Sequence, residues 1–359
     1  MAIKTIQEES LTALGNAIRA KTGNEDLLEF PNGMIDVIDG FNLVPDEAFV
    51  LTGNCSYRFY VGANQWLIDL YGDKITAENI TSAENMFTNN TALTALPFEL
   101  KFRTSTSPAS LFSGCQNLIQ SPKMTNLAGG SDMFLNCYKL TSLNGNQLVT
   151  PTSTFPMNEM FKDCRSLKSI ENFLDNVPDI QPGHGIFGMY NVFENCYSMD
   201  ELTNLPYVYL TYNSSGYGFG KCFSYLFRLK ELTFRGGAVT SASAKSTVLD
   251  LTGCVGYSAY SSLPNYGLIT DTRVTDDESY QALKNNPDWW TNDKAYSKYN
   301  HDSAVNTLNS LPDFSSLSIT MTIKFRGESG SATDGGAINT LTEEEIAVAT
   351  AKGWTVTLV

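Results

Sequence analysis

The stretch Met133-Phe134-Leu135-Asn136-Cys137-Tyr138-Lys139-Leu140-Thr141-Ser142-Leu143 contains the pattern on which the fold of this chain depends. Its Phe is followed by a Cys three residues later, and then by two Leu residues at further intervals of three. The pattern recurs along the middle of the chain, with six copies whose Phe residues lie 22 to 32 residues apart. These Phe residues are Phe87, Phe112, Phe134, Phe161, Phe193 and Phe223.

A repeat of this length, with apolar residues in constant phase, is typical of a solenoid in which each unit buries its apolar face against the next. The polar residues that precede Met and Phe in each copy favour a helix cap, which predicts one short helical turn with both apolar side chains pointing inward. The Leu residues that follow are expected in strands that stack as a narrow parallel sheet. The predicted fold class is therefore an α+β repeat solenoid with a narrow parallel sheet.

The chain has seven cysteines, which is an odd number, and four of them occupy the same position in successive copies. Equivalent positions in stacked strands lie roughly 5 Å apart, so these cysteines are expected to form an interior column, where a small thiol packs well. Buried free thiols are the favoured interpretation, and a disulfide or a metal among them is the alternative. The predicted repeat core comprises Phe87, Phe112, Cys115, Phe134, Cys137, Phe161, Cys164, Phe193, Cys196 and Phe223.

The bulk composition disfavours several functional classes. The net charge is −14 over 359 residues, and no Lys and Arg cluster suited to nucleic acid is present. No run of eighteen apolar residues predicts a membrane span, and the first eight residues lack the character of a secretion signal. Phosphate-binding loops, dinucleotide fingerprints and nucleophile elbows are missing, and the acids are scattered. No enzymatic activity, metal or cofactor is therefore expected.

The segments that flank the repeats predict four parts of the chain. Residues 1–41 are expected to be a helical attachment segment, and residues 42–78 a β-rich N-terminal cap in which strands form a hairpin. Trp66 is expected in the core of that cap, with an exposed ligand platform as the alternative. Residues 79–268 are assigned to the solenoid, and residues 269–359 to a C-terminal capping module with α/β character.

The capping module has a regular alternation of helix and strand signals. Helices are expected over Asp302–Leu311 and Glu343–Lys352, and strands over Leu317–Phe325 and Trp354–Leu358. Thr342 is placed to cap the second of these helices and Gly353 to end it.

Two connections between copies, residues 179–190 and 207–220, are longer than the others and rich in Gly and Tyr. Insertions in a solenoid emerge as loops on one side, and such loops commonly carry recognition. Tyr rings suit a contact surface because they offer a large area with few rotamers. Such rings suit contact with a receptor and contact with a neighbouring subunit equally well. The candidate binding residues are Tyr190, Tyr207, Tyr209, Tyr212, Tyr217 and Phe219.

Three local signatures resemble known groups of proteins. The Met-Phe-x-x-Cys-x-x-Leu-x-x-Leu copies resemble leucine-rich repeats of the BspA (treponemal) type. Residues 6–23 resemble the start of tail and other virion proteins of phages and prophages of Gram-positive gut bacteria. Residues 301–308 and 341–354 are similar to the closing module of phage-encoded repeat proteins. The sixth copy departs from the repeat, since Cys222 replaces Met and Leu226 replaces Cys.

The resemblance implies a leucine-rich-repeat stack in a non-enzymatic virion protein of the tail, baseplate or fibre, assembled in the bacterial cytoplasm. Its expected partners are other virion proteins, bound through the N-terminal helices, a host-surface glycan or protein, and further copies of the same chain in the particle. One alternative is a purely structural decoration or bridging protein of the particle. The other is a BspA-like adhesin of the bacterial surface, which the missing secretion signal disfavours.

Overall fold

The computed structural model describes residues 48–149, 157–177, 191–196, 198–206, 222–223, 226, 229–239, 246–251, 299–325 and 341–358. The chain divides into two units, Met1–Ala48 and Phe49–Val359, and nearly all described residues belong to the second. The predicted N-terminal helical segment, the six candidate binding residues and Cys254 lie outside the described residues.

Parallel strands dominate the described part of the chain. A four-stranded sheet has the order β1 (Phe49–Asn54), β2 (Ile75–Ser82), β3 (Leu100–Thr106) and β4 (Met124–Leu127). Two strands, β5 (Glu201–Leu205) and β6 (Glu231–Phe234), form a second sheet. The third sheet has the order β7 (Thr247–Asp250), β8 (Met321–Phe325) and β9 (Trp354–Leu358). Every strand pair in these sheets is parallel, which confirms an α+β chain with parallel sheets.

Three α-helices accompany these strands in the described residues. Helix α1 (Gln65–Tyr71) connects β1 to β2, and short 3₁₀ turns at Tyr60–Gly62 and Gly72–Lys74 flank it. Helices α2 (His301–Ser310) and α3 (Glu343–Ala351) precede β8 and β9. The helices and strands predicted for the C-terminal module are thus confirmed, although β8 begins four residues later than the predicted Leu317.

The predicted hairpin in the N-terminal cap is wrong. Only its first strand, β1, is present, and the next two predicted strands are a turn and helix α1. Left-handed backbone at Tyr57, Val61 and Asn64 interrupts any extended run there. Because β1 and β2 are parallel, the chain needs a crossover connection rather than a tight turn, and α1 provides it.

The prediction that Trp66 lies in the core is also wrong, since 59% of its surface is exposed. Helix α1 buries Leu67 and Ile68 against the core instead. In a strand, Trp66 and Ile68 would share one face, but in the helix they are turned well apart.

The short helical turn predicted for Met and Phe is replaced by overlapping turns. In the first copy the N–H groups of Asn85, Phe87 and Asn89 donate to carbonyls of the second copy at 2.7 to 3.0 Å. The intervening N–H groups of Met86 and Thr88 donate within the copy, at 3.2 and 3.3 Å. In a helix all of these N–H groups would donate to carbonyls of the same helix. Here every second N–H group donates to a carbonyl of the next copy instead.

The Phe side chains of successive copies form a stacked series, here called the ring column. Neighbouring rings lie between 5.1 and 6.2 Å apart from Phe87 to Phe223, with interplanar angles of 5° to 21°. All these rings are fully buried. Their inward direction, predicted from the repeat, is therefore correct even though the local backbone differs from the prediction.

A further member of the ring column, Phe59, was missed by the repeat pattern. Its ring stacks on that of Phe87 at 5.0 Å with an interplanar angle of 4°. The N–H groups of Tyr57, Phe59 and Val61 donate to the first copy in the same alternating manner. The pattern missed this unit because Gly62 occupies the Cys position and the left-handed positions hold Tyr and Val rather than Asn.

Candidate contact surface

The ten predicted repeat-core residues are all buried, so none of them forms a surface site. In successive copies the Sγ atoms of Cys115, Cys137, Cys164 and Cys196 donate to the Phe carbonyl of the preceding copy, at 3.0 to 3.1 Å. Burial raises the pKa of the Cys115 thiol to about 12. The thiols therefore contribute packing and hydrogen bonds between copies, and their protonated state leaves them poor nucleophiles.

A charged network on one side of the repeats joins two neighbouring copies. The Nζ of Lys162 lies 3.0 Å from Oε1 of Glu159 in its own copy and 3.1 Å from Oε2 of Glu194 in the next. Asn191 adds a hydrogen bond from its Nδ2 to Oε1 of Glu159, at 3.0 Å. Burial alone would lower the pKa of Lys162, but the hydrogen bonds to both glutamates outweigh it and raise this pKa. Lys162 and Asn191 thus connect the two neighbouring copies through Glu194 and Glu159.

Two residues beside the network extend this polar side. Burial, followed by the negative charge of Glu159, raises the pKa of Asp132. The guanidinium carbon of Arg165 lies 4.3 Å from the centre of the Tyr138 ring, which is a cation–π contact. Both arrangements involve side chains of neighbouring copies.

A shallow groove of about 240 Å³ lies where the chain turns after the Leu residues of the first two copies. Leu96, Pro97 and Phe98 line one part, and Ser121, Pro122 and Lys123 line another. Beneath it, Asn146 donates from Nδ2 to Oγ of Ser121 at 3.0 Å and to the carbonyl of Pro122 at 2.7 Å. Small-molecule sites usually exceed about 300 Å³. The groove therefore suits a single side chain of a partner better than a whole ligand.

The segment before β2 carries the most exposed aromatic surface in the described residues. Tyr57, Tyr60 and Trp66 are all exposed, and the two Tyr rings contact each other edge-on at 5.8 Å. The OH of Tyr57 accepts a hydrogen bond from Nδ2 of Asn85 at 3.2 Å. The sequence prediction missed this surface because it assigned these residues to strands. An alignment of this segment with the copies, with Phe59 at the Phe position, would have found it. Tyr57 and Val61 then occupy the positions that Asn85 and Asn89 hold in the first copy.

Within the described residues, no group of three or more His, Cys, Asp and Glu side chains has an arrangement that could hold a metal ion. None of the described helices has both the length and the apolar character that a membrane span requires.

Comparison of the chain with protein-family models, with curated proteins and with solved structures finds no match.

Proposed function

We propose that this protein is a non-enzymatic structural component of a phage particle, located in the tail, baseplate or a fibre. Its repeats would display a surface for contact with the host cell or with another protein. The virion location rests on the resemblance of residues 6–23, 301–308 and 341–354 to phage proteins. The observation that carries the contact role is the continuous bonding between copies, since a chain whose apolar residues join similar units forms an extended surface rather than a cavity.

The proposed architecture of the middle region is a leucine-rich-repeat solenoid of the BspA type. The ring column, the alternating N–H bonds and the Cys-to-Phe-carbonyl bonds support it, because each recurs at the same repeat position. The apolar residue six positions after each Phe is also buried, as Leu118 and Leu140 are. Equivalent positions thus make equivalent contacts, which is the property that defines a repeat architecture.

The host-contact role is assigned to the two long, Tyr-rich connections, which in the sequence join copies whose Phe rings stack on one another. A rigid scaffold that carries long loops is a common arrangement for recognition. We expect that replacing Tyr209, Tyr212 and Tyr217 by Ala abolishes binding of particles to host cells while leaving their number and composition unchanged. A triple Ala variant of the exposed Thr104, Ile119 and Thr125 is the matched control and should bind normally.

If particles with the three Tyr replacements bind host cells normally, the display role is wrong. A purely structural decoration or bridging role then replaces it. Loss of binding in the control variant as well would show that the effect is not specific to the loops.

The virion location has its own test. Mass spectrometry of purified particles should detect this chain at a constant ratio to the major tail proteins. A variant that lacks residues 1–40 should be absent from particles, since attachment is assigned to that segment. Incorporation of this variant at the normal level would disprove the attachment role, and absence of the full chain from particles would disprove the virion location.

A further inference from the structure

The exposed apolar side chains of the described residues are concentrated at the start of the unit Phe49–Val359. Nine large apolar residues are exposed in the described part, and five of them lie between residues 50 and 66. These five residues, here called the N-terminal face, are Val50 (58% exposed), Tyr57 (55%), Tyr60 (40%), Val61 (60%) and Trp66 (59%). These residues are close together in the chain, and the rings of Tyr57 and Tyr60 are in contact. Contiguous apolar exposure marks a contact site more often than scattered residues do.

Two members of the N-terminal face are held in a conformation that their side chains disfavour. Tyr57 has a φ of 60° and Val61 a φ of 54°, both in the left-handed region. Left-handed backbone is a genuine outlier for a β-branched residue such as Val, and it costs energy that Gly or Asn would largely avoid. Equivalent positions in the later copies carry short polar residues, Glu or Gly: Asn85, Asn89, Ser110, Gly114, Asp132, Asn136, Glu159, Asp163, Asn191 and Asn195.

The hydrogen bonds between units require the left-handed conformation at these two positions. They involve only the backbone, so they do not require Tyr or Val there. Tyr57 and Val61 donate their N–H groups to the carbonyls of Glu84 and Thr88, at 3.1 and 2.8 Å. Neither side chain gains burial in return for its strain, since both are more than half exposed. Apolar side chains at strained, exposed positions are explained if another surface covers them.

One member of the N-terminal face, Val50, belongs to the edge strand β1 of the first sheet. In the described residues β1 has a strand neighbour on one side only, β2, and Val50 of β1 is exposed. An open strand edge presents unpaired N–H and C=O groups that can pair with a second strand. Twofold symmetry makes two copies of one edge strand antiparallel, which is a geometry that permits regular pairing.

The size of the N-terminal face matches what a dimer requires. Three aromatic residues that remain about half exposed can still bury roughly 100 Å² each, and with the two Val residues the total is roughly 450 Å². A stable interface buries about 800 Å² per partner, of which somewhat more than half is apolar. The face thus supplies the apolar area that one partner contributes to an interface of standard size.

We infer that the N-terminal face is a homodimer interface, in which a second copy of this chain contributes the same residues across a twofold axis. The five residues of the face carry no charge, so they can meet their symmetry mates without pairing like charges, and the exposed Arg58 between Tyr57 and Tyr60 lies in the same segment. The chains as a whole carry −14 each, so their mutual repulsion opposes dimerisation and salt should strengthen it. This inference does not depend on the proposed function.

Sedimentation velocity over a range of concentrations of the full chain tests the inference. The wild-type chain should be dimeric at micromolar concentration. A variant with Tyr57→Asn and Val61→Asn should dissociate with a Kd raised at least roughly 30-fold, because two central apolar contacts are removed. The same variant should unfold at an equal or higher temperature when monomers are compared, because Asn relieves the left-handed strain.

The matched control is Ile119→Asn, which replaces an exposed apolar residue (51%) distant in sequence from the face. It should leave the Kd unchanged. A wild-type chain that remains monomeric at all concentrations would overturn the inference, and so would a Tyr57→Asn, Val61→Asn variant that dimerises as well as the wild type. An equal effect of Ile119→Asn would place the interface elsewhere and overturn it too. Trp66→Ala provides a second variant without any backbone effect and should also weaken the dimer.

Discussion

Most left-handed positions in the copies hold short polar residues, and these residues allow the backbone of one copy to bond to the next. Each of the first five copies has two left-handed positions, two residues before and two residues after its Phe, as in Asp132 and Asn136 around Phe134. Asn and Asp tolerate this backbone better than other residues with a side chain. Because the left-handed residues turn every second N–H toward the neighbouring copy, the bonding between copies depends on them.

Gly114, which occupies one of these left-handed positions, offers a direct test of their role. Its φ is +74°, and a Cβ added there would lie 2.1 Å from Oδ1 of Asn89, so the Asn89 side chain must move for any replacement. Gly114→Ala should lower the free energy of unfolding by about 1–2 kcal/mol, and Gly114→Asn by less, because Asn suits the backbone. Urea unfolding measures both values. Equal losses would show that the clash, and not the backbone conformation, dominates.

The ring column predicts a large cost for truncating any of its members. Phe134 is fully buried and stacks between Phe112 and Phe161. We expect Phe134→Ala to lower the free energy of unfolding by about 3–5 kcal/mol, because it loses apolar burial and leaves a cavity. The control Ile119→Ala, at an exposed site, should change it by less than about 0.5 kcal/mol. A loss below about 1 kcal/mol for Phe134→Ala would contradict the packing described here.

The interior thiols should be chemically silent in the folded protein. The pKa of Cys115 is raised to about 12 by burial, so at pH 8 the thiolate fraction is on the order of 10⁻⁴. Burial likewise raises the pKa of Cys137, Cys164 and Cys196. A disulfide reagent such as DTNB should therefore leave these four thiols unmodified until denaturant is added, as peptide mass spectrometry can show. Rapid modification in the native state would contradict their burial.

At the scale of elements, two capping boxes define where the C-terminal helices begin. Asn300 and Ser303 exchange side-chain bonds with backbone N–H groups at the start of α2, and Thr342 and Glu345 do so at the start of α3. His301 connects the two helix starts, since its Nε2 lies 3.2 Å from Oε2 of Glu345 and its Nδ1 lies 3.3 Å from Oδ1 of Asp302.

This connection predicts a pH dependence with a defined sign. Hydrogen bonds that the protonated imidazole donates to the carboxylates of Asp302 and Glu345 raise the pKa of His301 above its ordinary value of 6.5. A raised folded-state pKa means that the stabilisation is complete below pH about 6.5 and disappears as pH rises through the raised value. The difference in unfolding temperature between wild type and His301→Gln should thus be largest at pH 5.5 and vanish by pH 8.5. A difference that is constant or grows with pH would contradict this assignment.

For the whole molecule, the charge balance opposes folding in dilute buffer. The chain has 38 Asp and Glu residues against 24 Lys and Arg residues, which leaves a net charge of −14. Self-repulsion of this excess destabilises the folded state, and salt screens it. We expect the unfolding temperature to rise between about 0.02 and 0.2 M NaCl, where the Debye length falls from above 20 Å to below 8 Å.

The control for this prediction is KCl, which should act equally because screening depends on ionic strength and not on the identity of the cation. A fall in the unfolding temperature with salt would mean that attractive pairs, such as Lys162 with Glu159 and Glu194, outweigh the net repulsion.

Much of the interior was predictable from the sequence, whereas the exposed aromatic surface before β2 was not. Phe134, Cys137 and Leu140 could be assigned to the core from spacing alone, because a side chain that recurs in phase faces the same way in every unit. The exposed position of Trp66 could not, because an aromatic residue in an apolar run has the same local signature in a buried strand and in a helix with one exposed face. The candidate Tyr loops remain a prediction.

The sequence by itself determined that the six repeat Phe side chains point inward, that the repeat cysteines are buried free thiols, and where helix α3 starts. Each of these depends on residues close together in the chain or on exact repetition. Thr342 and Glu345, three residues apart, are enough to begin a helix. Only the tertiary structure decided that the residues around each Phe form left-handed turns and that Tyr57, Val61 and Trp66 are exposed. The physical reason is that half of the local N–H groups bond to carbonyls of the next copy, more than twenty residues away in the chain, as Phe87 does with Leu111.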